Sequence, residues 1–137
     1  MEGFHYRNQA LYVDDIPVKR LAEKFGTPLY VYSASEIKNR YISLSDAIYS
    51  VVPEGTNALI AYACKANSNI ALLKLLAGQG AGADVVSLGE LKRARYAGIP
   101  ANKIVFSGVG KTTEEIEHAL LEGILQLNVE SESEYRE

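Results

Sequence analysis

Short apolar segments return at a near-constant interval through most of this chain. They occupy residues 58–63, 83–86, 103–106 and 124–129, with centres roughly 22 residues apart. Each gap carries a helical pattern. The first holds Ile70, Leu73, Leu76 and Ala77, the second Leu88, Leu91, Ala94 and Ala97, and the third Ile116, Ala119 and Leu120. Gly78 with Gly80, Gly98 with Pro100, and Gly123 punctuate the ends. Strands alternating with helices at so short a spacing imply right-handed βαβ units and a parallel sheet. Two architectures share that pattern, a doubly wound open sheet and a (β/α)8 barrel cut short. Four units are half of an eightfold barrel, which typically needs about 250 residues. Ser131 followed by Glu132, Glu134 and Glu137 reads as the beginning of a helix. The expectation is therefore an α/β chain forming the first half of a barrel, ending inside a larger domain, with an independent four-stranded fold as the alternative.

The N-terminal third lacks this repeat. Residues 15–26 read as a short helix, with Asp15 as its cap, Pro17 in its first turn and Gly26 and Pro28 as its stop. Residues 29–32 read as a strand, followed by a Ser-capped helix from about 35 to 51 that places Ile37, Tyr41, Leu44 and Ile48 on one face. Composition narrows the class of protein. A chain of 137 residues that is 47% hydrophobic and 23% charged supports a core. Net charge of −3 and a pI near 5.5 argue against a nucleic-acid partner. One cysteine, Cys64, excludes an internal disulfide framework. The first residues lack the pattern of a secretory signal, and the longest apolar run, 58–64, is too short to span a bilayer. These features lead to the expectation of a soluble, cytoplasmic protein with no membrane or nucleic-acid partner.

Lys65 stands where the apolar strand 58–63 gives way to the polar, helix-starting Asn67-Ser68-Asn69. In parallel α/β folds the C-terminal ends of the strands form the binding face. A lysine partly desolvated there becomes a nucleophilic amine suited to Schiff-base chemistry. The competing reading is a lysine snorkelling from a strand end. Asp84 is a carboxylate inside an apolar strand, where it needs a cation or hydrogen-bond donors, and the Lys65 region offers one. Its plainer reading is an aspartate at an exposed strand start. Ser87 and Glu90 have capping-box spacing, as do Thr112 and Glu115. Gly110-Lys111-Thr112 ends like a P-loop, but the position where that motif requires its first glycine is Val105. The glycines of that loop instead suit a tight turn or a close approach to a cofactor. Cys64 has the opposite strand parity to Lys65 and packs outward. Neither His5 nor His118 has metal-ligand spacing, and no metal site is expected.

The stretch YACKAN (61–67 with its preceding alanine) resembles the cofactor-lysine motif of the alanine-racemase-like PLP enzymes, and within them the diaminopimelate decarboxylases. GADVVSLGEL (82–91), FSGVGKT (106–112) and LNVES (127–131) resemble that family's next strand ends, and GTPLYVYS (26–33) its entry segment. The matches run in order along nearly the whole chain. The resemblance implies that Lys65 carries pyridoxal 5'-phosphate, that Asp84 lies beside it, and that Glu90 and Ala63 belong to the active-site surroundings. It implies a division into an N-terminal segment, 1–33, with a strand and a short helix, and a partial PLP-binding (β/α) barrel, 34–137. Part of the segment would join the missing β-domain, which leaves Leu11-Tyr12-Val13 as a strand without its partner. The reaction implied is decarboxylation of meso-diaminopimelate to L-lysine and CO2 by a homodimer acting on a small amino acid. The family's stacking histidine, phosphate site, pyridine-nitrogen carboxylate and C-terminal β-domain have no counterpart in these residues. The 137 residues alone are thus expected to be inert and prone to self-association through open strand edges. Ornithine, arginine and carboxynorspermidine decarboxylases, amino-acid racemases and non-enzymatic PLP carriers share the scaffold and are the alternatives.

Overall fold

Three antiparallel strands open the chain in a meander: β1 (Phe4–Arg7), β2 (Ala10–Val13) and β3 (Ile16–Pro17). In this computed structural model, which describes residues 3–136, Asn8 and Gln9 both take positive φ, +50° and +63°. That is the two-residue turn whose twist matches a hairpin. Residues 11–13, expected as a strand awaiting a partner elsewhere, are thus paired with β1, and Tyr12 and Val13 also with β3. The rings of His5 and Tyr12 stack across β1 and β2 with centroids 5.8 Å apart.

The first helix, α1 (Val18–Phe25), starts three residues later than the sequence pattern suggests, and Asp15 does not cap it. Ile16 and Pro17 pair with β2, which delays the helix. Gly26 closes it as expected, its N–H donating to the Ala22 carbonyl at 2.8 Å. Residues 29–32, expected as a strand, have no ladder partner among the described residues. The next helix, α2 (Ala34–Tyr49), is capped by Ser33 rather than Ser35: the Glu36 N–H donates to Ser33 Oγ at 3.0 Å. Asp14 reinforces that cap from 20 residues away, accepting from the Ala34 N–H at 3.0 Å, from the Ser33 hydroxyl at 2.7 Å and from Ser35. These bonds, Ser33's foremost, hold the Asp14 carboxyl below its ordinary range.

The chain divides into two units, Met1–Ala47 and Ile48–Glu137. The second contains the repeat: β4 (Ala61–Ala63), α3 (Ile70–Ala77), β5 (Gly82–Val85), α4 (Leu88–Tyr96), β6 (Ile104–Phe106), α5 (Thr113–Glu122), β7 (Gln126–Leu127) and the short α6 (Glu132–Tyr135). The four strands are parallel and lie in sequential order, β4-β5-β6-β7. Tyr62, Cys64, Ala83, Val85, Ile104, Phe106 and Leu127 share one face of this sheet and pack with Leu73, Leu91, Ala94 and Ala119 of the helices. All the crossovers therefore lie on one side. Sequential order with one-sided crossovers is the winding of a barrel wall, and a doubly wound sheet is excluded. Each fully buried Leu, Ile or Phe in that layer contributes about 1.5–3 kcal/mol.

The cap signals of α5 and α6 hold. Thr112 and Glu115 form a complete capping box, and Ser131 Oγ accepts from the Glu134 N–H at 3.2 Å. Glycine is needed at Gly82, where a Cβ would fall 2.2 Å from the Lys103 carbonyl oxygen, and at Gly108, which has a φ of +97°.

Candidate active site

The face of the sheet turned away from the helices is lined by Ala61 and Ala63 from β4, Asp84 from β5, Val105 from β6 and Gln126 from β7. Ala63 pairs with Asp84, Asp84 with Val105 and Val105 with Gln126, a constant offset of 21 residues. Every second residue along a strand points to the same face. Continuing the offset of 21, the next row of positions holds Lys65, Val86, Ser107 and Asn128, at the C-terminal ends of the strands. Lys65 lies in the 3-10 turn Cys64–Ala66 that ends β4. It is exposed, with no ion-pair partner among the described residues, where the sequence pattern led us to expect partial burial.

Asp84 is half-buried. Its partner is not Lys65, as the sequence suggested, but Ser107, whose hydroxyl donates to Oδ1 at 2.6 Å. The Asn128 side-chain amide in turn donates to Ser107 Oγ at 3.0 Å. Glu90 acts partly as the cap its spacing implied. Its N–H donates to Ser87 Oγ at 3.2 Å, while its carboxylate reaches one residue beyond a capping box and accepts from the Val86 N–H at 2.9 Å. Glu90 thus secures the end of β5 next to Asp84. Cys64 is fully buried on the helix side. Burial, and then the negative charges of Glu90 and Asp84, push its thiol up to about 12, so it is no nucleophile.

Two features of this rim escaped the sequence reading. Lys111 is buried, and its Nζ donates to the Gly108 carbonyl at 2.5 Å, lies 5.8 Å from the Phe106 ring centroid and pairs with Glu134. The Lys111 ammonium, followed by the Glu130 N–H, holds the Glu134 carboxyl below its ordinary range. The loop after β6 is thereby tied to α6. Glu115 also joins two loops, accepting from the Leu88 N–H of α4 at 2.9 Å and from its own cap residue, the Thr112 N–H, at 3.1 Å. Those bonds, Leu88's foremost, lower its carboxyl.

A barrel-type wall with a lysine amine and a carboxylate in neighbouring rows at the strand ends is an α/β arrangement suited to a carbonyl-bearing cofactor. The chain belongs to the family described as pyridoxal-dependent decarboxylase, pyridoxal binding domain, which it matches over residues 34–137. Diaminopimelate decarboxylase from Pseudomonas fluorescens is 46% identical over 134 residues, which are 98% of this chain and 31% of that protein. Its counterpart from Aquifex aeolicus is 50% identical over 129 residues, 94% of this chain and 29% of that protein. The crystal structure of diaminopimelate decarboxylase from M. jannaschii matches with a TM-score of 0.91 at 44% identity, over 96% of this chain and 31% of that one. The chain thus spans about a third of the length of these relatives. Lysine/ornithine decarboxylase from Vibrio vulnificus is more distant, at 25% identity and a TM-score of 0.74.

Pyridoxal phosphate is the cofactor of this family, and the donor set on the open face fits it. An exposed primary amine reacts with an aldehyde, and a carboxylate with one oxygen unengaged stands in the neighbouring row. No helix among the described residues is long and apolar enough to cross a membrane.

Proposed function

We propose that the protein carrying this chain decarboxylates meso-2,6-diaminopimelate to L-lysine and CO2, with Lys65 holding pyridoxal phosphate. The observation that supports this most is the position of Lys65: exposed, at the C-terminal end of β4, in the row above Asp84, within a chain 45–50% identical to relatives named diaminopimelate decarboxylase. Bound pyridoxal phosphate supplies the electron sink that a decarboxylation at an amino-acid carbon requires. Lys65 anchors the cofactor through Nζ and serves as the proton-carrying amine at that point. Asp84 sets a fixed negative charge beside it, Glu90 holds the strand end, and Ala63 keeps the floor open.

In this reading residues 34–137 are part of the pyridoxal-binding barrel and 1–33 are a separate N-terminal segment. The active protein is a cytoplasmic homodimer acting on a small amino acid. The crystal structures of the M. jannaschii and Helicobacter pylori enzymes in complex with L-lysine support lysine as the product. The test is CO2 release by the full-length protein from meso-diaminopimelate, ornithine and arginine, each at equal concentration. We expect turnover of diaminopimelate at least about tenfold above the others, the low end of the discrimination a substrate site achieves between analogues. Preference for ornithine or arginine would reassign the substrate and leave the cofactor site untouched.

A further inference from the structure

The row that begins at Lys65 ends in two polar side chains with no role in the reaction as described so far. Ser107 and Asn128 are fixed by the ladder itself, the Ser107 N–H donating to the Val85 carbonyl and the Asn128 N–H to the Phe106 carbonyl, both at 2.8 Å. Their side chains form a chain of donors across three strands. Gln126 Nε2 donates to Asn128 Oδ1 at 2.5 Å, Asn128 Nδ2 to Ser107 Oγ at 3.0 Å, and Ser107 Oγ to Asp84 Oδ1 at 2.6 Å. For an ionised Asp84 only this direction works. An amide nitrogen can only donate and a carboxylate can only accept, so the single hydrogen of Ser107 goes to Asp84. With the amides reversed, that hydrogen would turn to Asn128 and leave two oxygen lone-pair regions facing each other. Oδ1 is thus engaged, while Oδ2 accepts no hydrogen bond among the described residues.

We propose that Ser107 and Asn128 are positioning residues for the pyridoxal phosphate reaction: they clamp one oxygen of Asp84 and reserve the other for the group carried by Lys65. The proposal rests on the reading that Lys65 carries the cofactor. A carboxylate with neither oxygen engaged swings freely about its terminal torsion. Clamped, it presents its charge in one place and needs no reorganisation when the reaction begins.

The test compares the full-length protein with its Ser107→Ala, Ser107→Thr and Asn128→Ala variants, each loaded with pyridoxal phosphate. Visible absorbance of the lysine-bound cofactor is titrated against pH, and kcat and KM are measured. Ser107→Ala should lower kcat about tenfold with KM nearly unchanged, less than the loss of a donor that touches the reacting atoms directly. Its absorbance midpoint should fall by about half a pH unit, because a carboxylate free to turn away favours the protonated nitrogen less. Asn128→Ala should act in the same direction and more weakly. Ser107→Thr keeps the hydroxyl and should restore both values. The Asn128 side-chain amide protons, followed by NMR without cofactor, should lose protection in Ser107→Ala. An unchanged midpoint and kcat in Ser107→Ala would overturn the proposal. If that variant does not fold, a normal midpoint in Asn128→Ala would overturn it instead. Borohydride reduction that labels a residue other than Lys65 would remove the underlying reading and the proposal with it, and the NMR result would still show whether the donor chain exists.

Discussion

Replacing Glu115 by Gln should loosen two loops at once. Its carboxylate accepts from the Leu88 N–H at the start of α4 and closes the capping box of α5 on Thr112. A hydrogen bond to a charged group contributes about 1.5–3 kcal/mol. Gln keeps one neutral acceptor oxygen but loses the charge and the second acceptor. Glu115 is also partly exposed, so we take the lower end, about 1.5 kcal/mol, as the upper bound of the loss at the Leu88 bond. That is roughly a tenfold loss of protection for the Leu88 amide. Amide hydrogen exchange in the full-length protein reads this directly, with the Leu88 and Thr112 amides as reporters and Ala83 as the internal reference. The pH dependence has a definite sign. Hydrogen bonding lowers the folded-state pKa of Glu115 below the ordinary 4.5, so its stabilisation is fully present above that value. It disappears as pH falls through the lowered value, and the wild type and Glu115→Gln should converge there. Equal protection of Leu88 in the two proteins at pH 7, or a difference that persists unchanged into acid, would refute the reasoning.

Gly82→Ala should destabilise the join of β5 and β6 by at least about 1–3 kcal/mol, the usual cost of overpacking, because the added methyl meets the Lys103 backbone at 2.2 Å. A melting temperature unchanged from wild type would contradict this. Cys64, fully buried and with its thiol pushed up to about 12, should resist a thiol reagent at pH 8 in the folded protein and react once denatured, as read by peptide mapping. Rapid labelling in the native state would show that the helix-side packing is wrong.

What was legible in the sequence was local or periodic. Thr112 with Glu115 and Ser131 with Glu134 sit three residues apart, and both caps form as their spacing implies. The strand–helix repeat gave the parallel sheet, and strand parity gave the burial of Cys64. Contacts that depend on register were not legible. A spacing of roughly 22 residues between strand centres does not distinguish an offset of 21 from one of 22, and a slip of one residue moves every side chain to the other face. Only the observed offset of 21 brings Ser107 and Asn128 into the row of Lys65 and gives Asp84 a hydroxyl partner. Lys111 and Glu134 meet across 23 residues with nothing in either local pattern to join them. Residues 29–32 show the opposite error: β-branched and aromatic side chains suggested a strand, but a strand also requires a neighbour.

The central claim is that Lys65 carries the cofactor. Eight lysines are present in the chain, and Lys111 is excluded on geometry because its ammonium is buried against Glu134. Borohydride reduction of the full-length protein with pyridoxal phosphate, followed by peptide mapping, distinguishes them. Within these 137 residues, the phosphopyridoxyl group should be found on Lys65, and labelling here should be lost in Lys65→Ala. A label on any other lysine, or one that survives Lys65→Ala, would contradict it.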